Sequence, residues 1–195
     1  MNQTVEYEHA EPWVAPRMPS PLPSFEDVYD THVDFVWRTL RRLGVPEALV
    51  DDATQDVFVV VHRRLAEFAG RSSTKTWLFS IAHHVCLGYL RSARRRPTEA
   101  LPELLADTGN LSPLAASVLK EDLRRLYALL DQLDDERRTV FVMVELEELS
   151  VPEISEALRV NANTIYTRLR AARQQFNEAI KRQEAQDARR SSWTK

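Results

Sequence analysis

The 195-residue chain has little cysteine and little glycine. It has one cysteine, Cys86, so no disulfide can form within it, and that usage fits a reducing compartment. It has only four glycines and is dominated by Ala, Leu, Glu and Arg, which favours helix over sheet. It contains no Gly-rich phosphate loop, no nucleophile elbow and no convincing pair of catalytic carboxylates, so no enzymatic step is expected of it. No apolar run approaches the roughly 20 residues that span a bilayer, and the N-terminus lacks the charged-then-apolar pattern of a secretion signal. The expectation is a cytoplasmic protein with no membrane insertion. A zinc site is not expected either. His83, His84 and Cys86 are close in sequence, but adjacent helical residues point about 100° apart, and Cys86 has no CxxC partner. His32 and His62 are distant. No metal and no cofactor are expected.

An excess of charge of one sign is also missing. The formal net charge is −3, yet it conceals opposed segments. Acidic residues gather in 103–107, 131–136 and 145–156, and basic ones in 91–96 and 168–182. Such asymmetry suits a protein with one face for phosphate and another for a basic partner.

What is present is helical periodicity in two blocks. Residues 1–23 carry five prolines without hydrophobic period and read as a disordered Pro-rich arm. Ser24 can cap a helix with Phe25, Val28, Tyr29, His32, Val36 and Leu40 on one stripe, ended by Gly44 and Pro46. A second helix is expected to bury Leu49, Ala53, Val57, Val60, Val61 and Leu65 while exposing Asp51, Asp52, Gln55 and Asp56. The segment "AGRSSTK" interrupts the pattern, and "TWLFSIAHHVCLGYLRSARRR" forms a third amphipathic helix ending in a basic cluster. Residues 98–113 hold Pro102, Gly109, Asn110 and Pro113 and read as a linker. Helical patterning resumes over 114–183. Leu119, Leu123, Leu126, Leu130 and Leu133 lie near one face, and Asp134 or Asp135 can cap "ERRTVFVMVELEEL". Residues 184–195 read as a flexible tail. The fold class is therefore all-α, two small helical domains on a flexible linker.

The segment "LSVPEISEALRVNANTIYTRLRAAR" (149–173) reads as two short helices and a tight turn. Ser150 and Glu153 form a capping box, and Pro152 sits in the first turn where its missing N–H costs little. Ile154 and Leu158 face inward, small Ser155 permits a close crossing, and Ile165 and Leu169 carry the apolar face of the second helix. The turn position that often holds glycine is Arg159, where a left-handed conformation carries strain. Asn163, Thr164, Tyr166, Thr167, Arg170 and Arg173 lie outward, and Arg and Asn can read guanine and adenine edges in a major groove. A plain helical hairpin with a solvated basic face satisfies this stretch equally well.

Two distant stretches together carry a family resemblance. "DDATQDVFVVVHRRLAEFAGRSSTKTWLFSIAHHVCLGYLRSARRR" resembles region 2 of bacterial RNA polymerase sigma factors of the extracytoplasmic function class, in the sigma-70 family. "LDDERRTVFVMVELEELSVPEISEALRVNANTIYTRLRAAR" resembles their region 4. The resemblance implies region 2 over 24–97 and region 4 over 114–183. It implies an alternative-sigma initiation factor that binds core RNA polymerase through its β′ and β subunits and directs it to promoter DNA. Asp51, Asp52, Gln55 and Asp56 match the family's polymerase-binding face. The loop "GRSSTKT" and the helix after it match the surface that captures melted −10 DNA. The implied set there is Arg71, Lys75, His83, His84, Arg91, Arg94, Arg95 and Arg96, with His84 standing where relatives often carry Asn. For the −35 duplex the implied set is Asn163, Thr164, Tyr166, Thr167, Arg168, Arg170 and Arg173, Tyr166 replacing a commonly basic residue. Family members are usually restrained by an anti-sigma protein, so such a partner is expected here. The competing reading is a stand-alone helix-turn-helix regulator acting without polymerase, which leaves "GRSSTKTWLFSIAHH" without a role.

Overall fold

The computed structural model describes residues 23–70, 72–95 and 112–193. The Pro-rich arm to residue 22 and the linker segment 96–111 lie outside the described residues. Among the described residues there is no strand, and no helix is long and apolar enough to cross a membrane. The amino-terminal bundle is α1 (Phe25–Leu43), α2 (Glu47–Arg64), a short 3₁₀ turn (Leu65–Glu67) and α3 (Thr74–Arg95). The carboxy-terminal bundle is α4 (Pro113–Leu130), α5 (Asp135–Phe141) continued by a π turn (Val142–Leu146), α6 (Val151–Leu158) and α7 (Ala162–Trp193).

Local chemistry sets most of these ends. The Ser24 hydroxyl accepts from the Asp27 N–H at 3.1 Å and the Asp134 carboxylate from the Arg137 N–H at 2.9 Å, each occupying an otherwise orphaned donor of a first turn. At the far end of α1, Gly44 takes φ +105°, a left-handed conformation that only glycine adopts cheaply. The Val45 N–H then returns to the Leu40 carbonyl and the Gly44 N–H to the Arg41 carbonyl, a Schellman closure.

The stripe that α1 buries is rotated from the one its pattern suggests. Val28, Phe35, Val36, Thr39, Leu40 and Leu43 are inside, Tyr29 is exposed and His32 is half-buried. On α2 the buried set is Val50, Ala53, Thr54, Val57, Phe58 and Val61, with Leu49, Val60 and Leu65 only half-buried. The helix expected through "ERRTVFVMVELEEL" switches to a π turn after Phe141, and Arg138 through Met143 are all buried in succession. Helix α7 runs on to Trp193, past the boundary expected at 183. Its distal stretch "EAQDARR" is rich in good helix formers and lacks Gly and Pro, and its exposed residues hold helix by propensity rather than by packing.

The bundles are not separate beads. One contiguous apolar core includes Val36, Leu40, Phe79 and Ala82 from the first bundle and Leu130, Met143, Ile154 and Ile165 from the second. Helix α3 packs on α6, and α1 packs on α5 and the π turn.

Candidate nucleic-acid interface

Three polar surfaces follow from this packing. The first is the exposed edge of α2. Asp51, Asp52, Gln55 and Asp56 are all exposed there, at spacings that keep them on one side of the helix. Two of the carboxylates are oriented by aromatic donors from neighbouring helices. The Trp37 indole N–H donates to Asp51 Oδ1 at 2.8 Å, and the Tyr89 hydroxyl donates to Asp56 Oδ2 at 2.8 Å. Burial, reinforced by Asp56, pushes the Tyr89 phenol up to about 12, so it remains a donor across the physiological range. Beside this edge runs an apolar groove between α1 and α2, lined by Phe25, Tyr29, Val33, Trp37, Phe58 and Val59.

The second surface is the start of α3. Ser73 caps the helix by accepting from the Thr76 N–H at 3.0 Å. Of the basic residues assigned here from the sequence, Arg91 and Arg95 are exposed at the end of α3. Arg71 and Arg96 lie outside the described residues, as does the side chain of Arg94. The two histidines differ. His84 is exposed and its Nδ1 pairs with the Ser80 carbonyl at 3.2 Å. His83 is half-buried with its ring at 89° to that of His84. Desolvation lowers its pKa to about 4, helped by His84 and partly opposed by Asp135 at the start of α5. At neutral pH it is an uncharged imidazole. Lys75 is engaged within the protein although its side chain stays 40% exposed. Its ammonium donates to the Glu147 carbonyl at 3.0 Å, pairs with the Glu147 carboxylate at 3.3 Å and lies 5.1 Å from the Phe35 ring centre.

The third surface is the helix pair α6–α7. Glu153 Oε2 accepts from the Ser150 N–H at 2.9 Å and from its hydroxyl at 2.6 Å, which holds the carboxyl below its ordinary pKa. Arg159 takes φ 54°, ψ 41°, so the helix ends in a left-handed residue that is not glycine, as its place in the turn predicts. The turn is locked by the Ser155 hydroxyl donating to the Val160 carbonyl at 2.7 Å. Asn161, which the sequence reading passed over, starts α7: its side-chain oxygen accepts from the Asn163 N–H at 2.8 Å. An Asn at this spacing before a helix is a recognisable cap. Ile154, Ile165, Leu169 and Ala172 pack inside. Asn163, Thr164, Tyr166, Thr167 and Arg170 are exposed, Tyr166 at 58%. The Thr167 hydroxyl donates back to the Asn163 carbonyl at 2.9 Å. The two flanking arginines are engaged: Arg168 pairs with Glu136 at 2.7 Å, and Arg173 reaches Glu145 through Nε at 2.9 Å and Nη2 at 2.6 Å.

The sequence reading missed the seam between the bundles. Glu147 is nearly buried, its side chain 4% exposed, and it receives Arg42 of α1 at 2.5 Å as well as Lys75 of α3. Arg138 of α5 is buried and donates from Nε to the Arg42 carbonyl at 2.5 Å, from Nη1 to Asp131 at 2.6 Å and from Nη2 toward the Arg41 carbonyl at 3.4 Å. A side chain at position 44 would meet Arg138 at 3.1 Å, so Gly44 serves close approach as well as the turn. The Thr76 hydroxyl donates to Glu153 at 3.1 Å, joining α3 to α6. No local pattern marks these residues. Each looks like a solvated charge until the bundles are brought together.

Comparison with known proteins accounts for both bundles. The family model for sigma-70 region 2 matches residues 28–96, and that for sigma-70 region 4 matches residues 123–176. The chain is 30% identical over 149 residues to the ECF RNA polymerase sigma factor SigX of Bacillus subtilis, covering 74% of this chain and 77% of SigX. It is 34% identical over 155 residues to the RNA polymerase sigma factor YlaC of the same organism, covering 77% of this chain and 88% of YlaC. Among solved structures, the sigma factor RpoE of Bartonella quintana, crystallised with the anti-sigma factor NepR, superposes with TM-score 0.66 at 19% identity, over 80% of this chain and 96% of RpoE. That likeness is one of fold.

Proposed function

We infer how this chain acts from one premise: it belongs to the sigma-70 family of RNA polymerase initiation factors, in the extracytoplasmic function class. It is an alternative sigma factor that directs RNA polymerase to promoters. The observation that supports the finer reading is that both matched modules occur in one chain, each with an exposed polar face. A regulator acting without polymerase would need only α6 and α7.

In this reading the α2 edge docks on core polymerase, at its β′ and β subunits. Asp52 and Gln55 stand exposed between two carboxylates that Trp37 and Tyr89 hold in place, a pre-set acidic edge for a basic partner. The start of α3 captures unwound −10 DNA, with His84 on the exposed side for the base and Lys75, Arg91 and Arg95 for phosphate. The outer face of α7 reads −35 duplex. Neither module binds tightly alone, and polymerase supplies the fixed spacing that makes two weak contacts one strong one. The bond-forming chemistry belongs to polymerase. In this reading the protein works in the cytoplasm with an anti-sigma protein as its restraint, and the apolar α1–α2 groove beside the acidic edge is a surface such a partner would cover.

Run-off transcription with core polymerase on a library of random promoters tests the whole reading, and no RNA from any template sinks it. Two substitutions test its parts. Arg170→Ala is expected to weaken promoter-specific binding by about 1–3 kcal/mol. Arg173→Ala, if that guanidinium holds a phosphate, weakens all sequences alike and flattens the salt dependence. Competitive gel-shift titrations at two salt concentrations separate these outcomes. His84→Ala is expected to lower open-complex formation more than it lowers polymerase binding. Permanganate reactivity of unpaired thymines, set against co-purification with core enzyme, measures both, and equal losses refute the assignment.

A further inference from the structure

The groove between α1 and α2 is open among the described residues, and its walls are aromatic. Phe25, Tyr29 and Trp37 stand along α1, with Phe58 and Val59 on the α2 side. The wall is pre-formed, because the Tyr29 and Phe58 rings meet edge to face at 4.7 Å and Phe25 meets Phe58 at 6.4 Å. Yet Tyr29 and Val59 are each 41% exposed. Charge marks both ends: Asp51 beside Trp37, and His62 and Arg63 beside Phe25. The described chain enters at the Phe25 end, where Pro23 is already half-buried. The residues before Pro23 lie outside the described residues, but their sequence is suited to such a groove. Pro16 and Pro19 have the P-x-x-P spacing, Pro21 follows, Met18 and Leu22 are apolar, and Arg17 is the only arginine or lysine of residues 1–23. Proline favours polyproline II, which docks on aromatic-lined grooves at low entropic cost. The lengths agree as well. From Phe25 to Trp37 the helix rises about 18 Å. At about 3.1 Å per residue, a segment that turns back at Pro23 carries Arg17 about 19 Å along the groove, level with Asp51. Glu6, Glu8 and Glu11 then lie a further 19 Å or so back along the chain, outside the screening length of about 8–10 Å from that carboxylate.

We propose that the α1–α2 groove is the seat of this chain's own proline segment, residues 16–22, with its apolar side chains on Phe25, Tyr29 and Trp37 and Arg17 beside Asp51. The contact needs little intrinsic affinity, because the tether at Pro23 holds the segment at a local concentration in the millimolar range. A protein that covers the groove or the adjoining acidic edge must displace the segment. That consequence rests on the docking assignment of the α2 edge, whereas the seat itself rests on the groove, the reach and the charges.

The test uses the full chain without polymerase, so its failure is distinct from a failure of the docking assignment. Cys86 is buried and burial pushes its thiol up to about 12, so a nitroxide maleimide on an Ala15→Cys variant labels the arm alone. Paramagnetic broadening of NMR signals then reports where the arm lies. The Trp37 indole N–H and the Gln55 and Val59 amides are expected to lose most of their intensity and to regain it when the nitroxide is reduced. Arg17→Glu sets a carboxylate against Asp51 and is expected to abolish that loss. The substitution lies outside both bundles, so it does not unfold them. Broadening that fades evenly with distance from Phe25 in every direction, unchanged by Arg17→Glu, overturns the proposal. A loss confined to the groove that survives Arg17→Glu overturns the placement of Arg17 beside Asp51. The third control mixes labelled chain with isotope-enriched unlabelled chain. Broadening of the groove signals in that mixture assigns the seat to the arm of a second copy and overturns the intramolecular contact, whereas none is expected.

Discussion

Replacing Arg138 with alanine is expected to lower the free energy of unfolding by about 3 kcal/mol, a loss that stems from an orphaned helix end rather than from a broken surface ion pair. The last turn of α1 leaves carbonyls without intrahelical partners. Leu40 and Arg41 are served by the backbone N–H groups of Val45 and Gly44, and Leu43 receives the Cys86 thiol at 3.8 Å. The Arg42 carbonyl has the Arg138 guanidinium at 2.5 Å. A hydrogen bond to a charged donor contributes about 1.5–3 kcal/mol, and a positive charge at a helix C-terminus adds up to about 1. The partner carboxylate does not raise the cost much further, because the Asp131 side chain is 66% exposed and can rehydrate. That exposure holds the estimate below the 3–5 kcal/mol typical of stripping one partner from a fully buried pair. For a chain of this size a 3 kcal/mol loss corresponds to a fall in Tm of roughly 6–12 °C. Thermal or urea unfolding measures it, and a change under about 1 kcal/mol would show that water replaces the guanidinium at no cost. Arg138→Lys is expected to recover only part of the loss, since a single ammonium cannot serve Arg42, Arg41 and Asp131 as the planar fork does.

That residue also marks the boundary between what could and could not be read from the chain. Signals confined to a few neighbouring residues were legible: Ser24 and Asp134 as caps, Gly44 as a terminator, Ser150 with Glu153, and the left-handed turn forced on Arg159. The exposed α2 edge and the outward face of α7 were legible for the same reason, since helical period alone puts Asp52 or Arg170 in solvent. Burial phase was less so. Phe35, Thr39 and Leu43 displaced Tyr29 and His32 from the α1 core, because α1 is covered on two sides, by its own bundle and by α5 with the π turn. The π turn itself is unreadable from period, since the six consecutive buried residues from Arg138 to Met143 that lead into it fit neither a helical nor a strand repeat. The seam was invisible. Arg42 and Glu147 are 105 residues apart, and each alone resembles an ordinary surface charge. The sequence assigns Lys75 to the surface for melted −10 DNA and holds no sign that its partner in the free chain is the Glu147 carboxylate.

Acid should loosen the same region through His83, and here the direction follows from which state accepts the proton. In the fold, burial lowers its pKa from 6.5 to about 4; unfolded, it returns to the ordinary value. Above pH 6.5 both states carry a neutral ring and His83 costs nothing. Between 6.5 and 4 the unfolded chain takes up a proton that the folded chain refuses, so stability falls as pH falls, and below about 4 the loss levels off. Each unit of pKa difference corresponds to 1.36 kcal/mol, so the full penalty is about 3 kcal/mol, of which about 2 should be lost between pH 7 and pH 5. The groups that shape the shift are His84 on the same helix, which opposes protonation, and Asp135 across the seam, which favours it without overcoming desolvation. Unfolding by urea at the two pH values, for the wild type and for His83→Gln, isolates the contribution. The variant has no proton to refuse, so its loss over this interval should be smaller by about 2 kcal/mol. Equal losses in both proteins would mean that the ring is hydrated, and that the first turn of α5 does not seal it. The expected inequality makes His83 one acid-sensitive point of the fold, within electrostatic reach of Asp135 in the carboxy-terminal bundle.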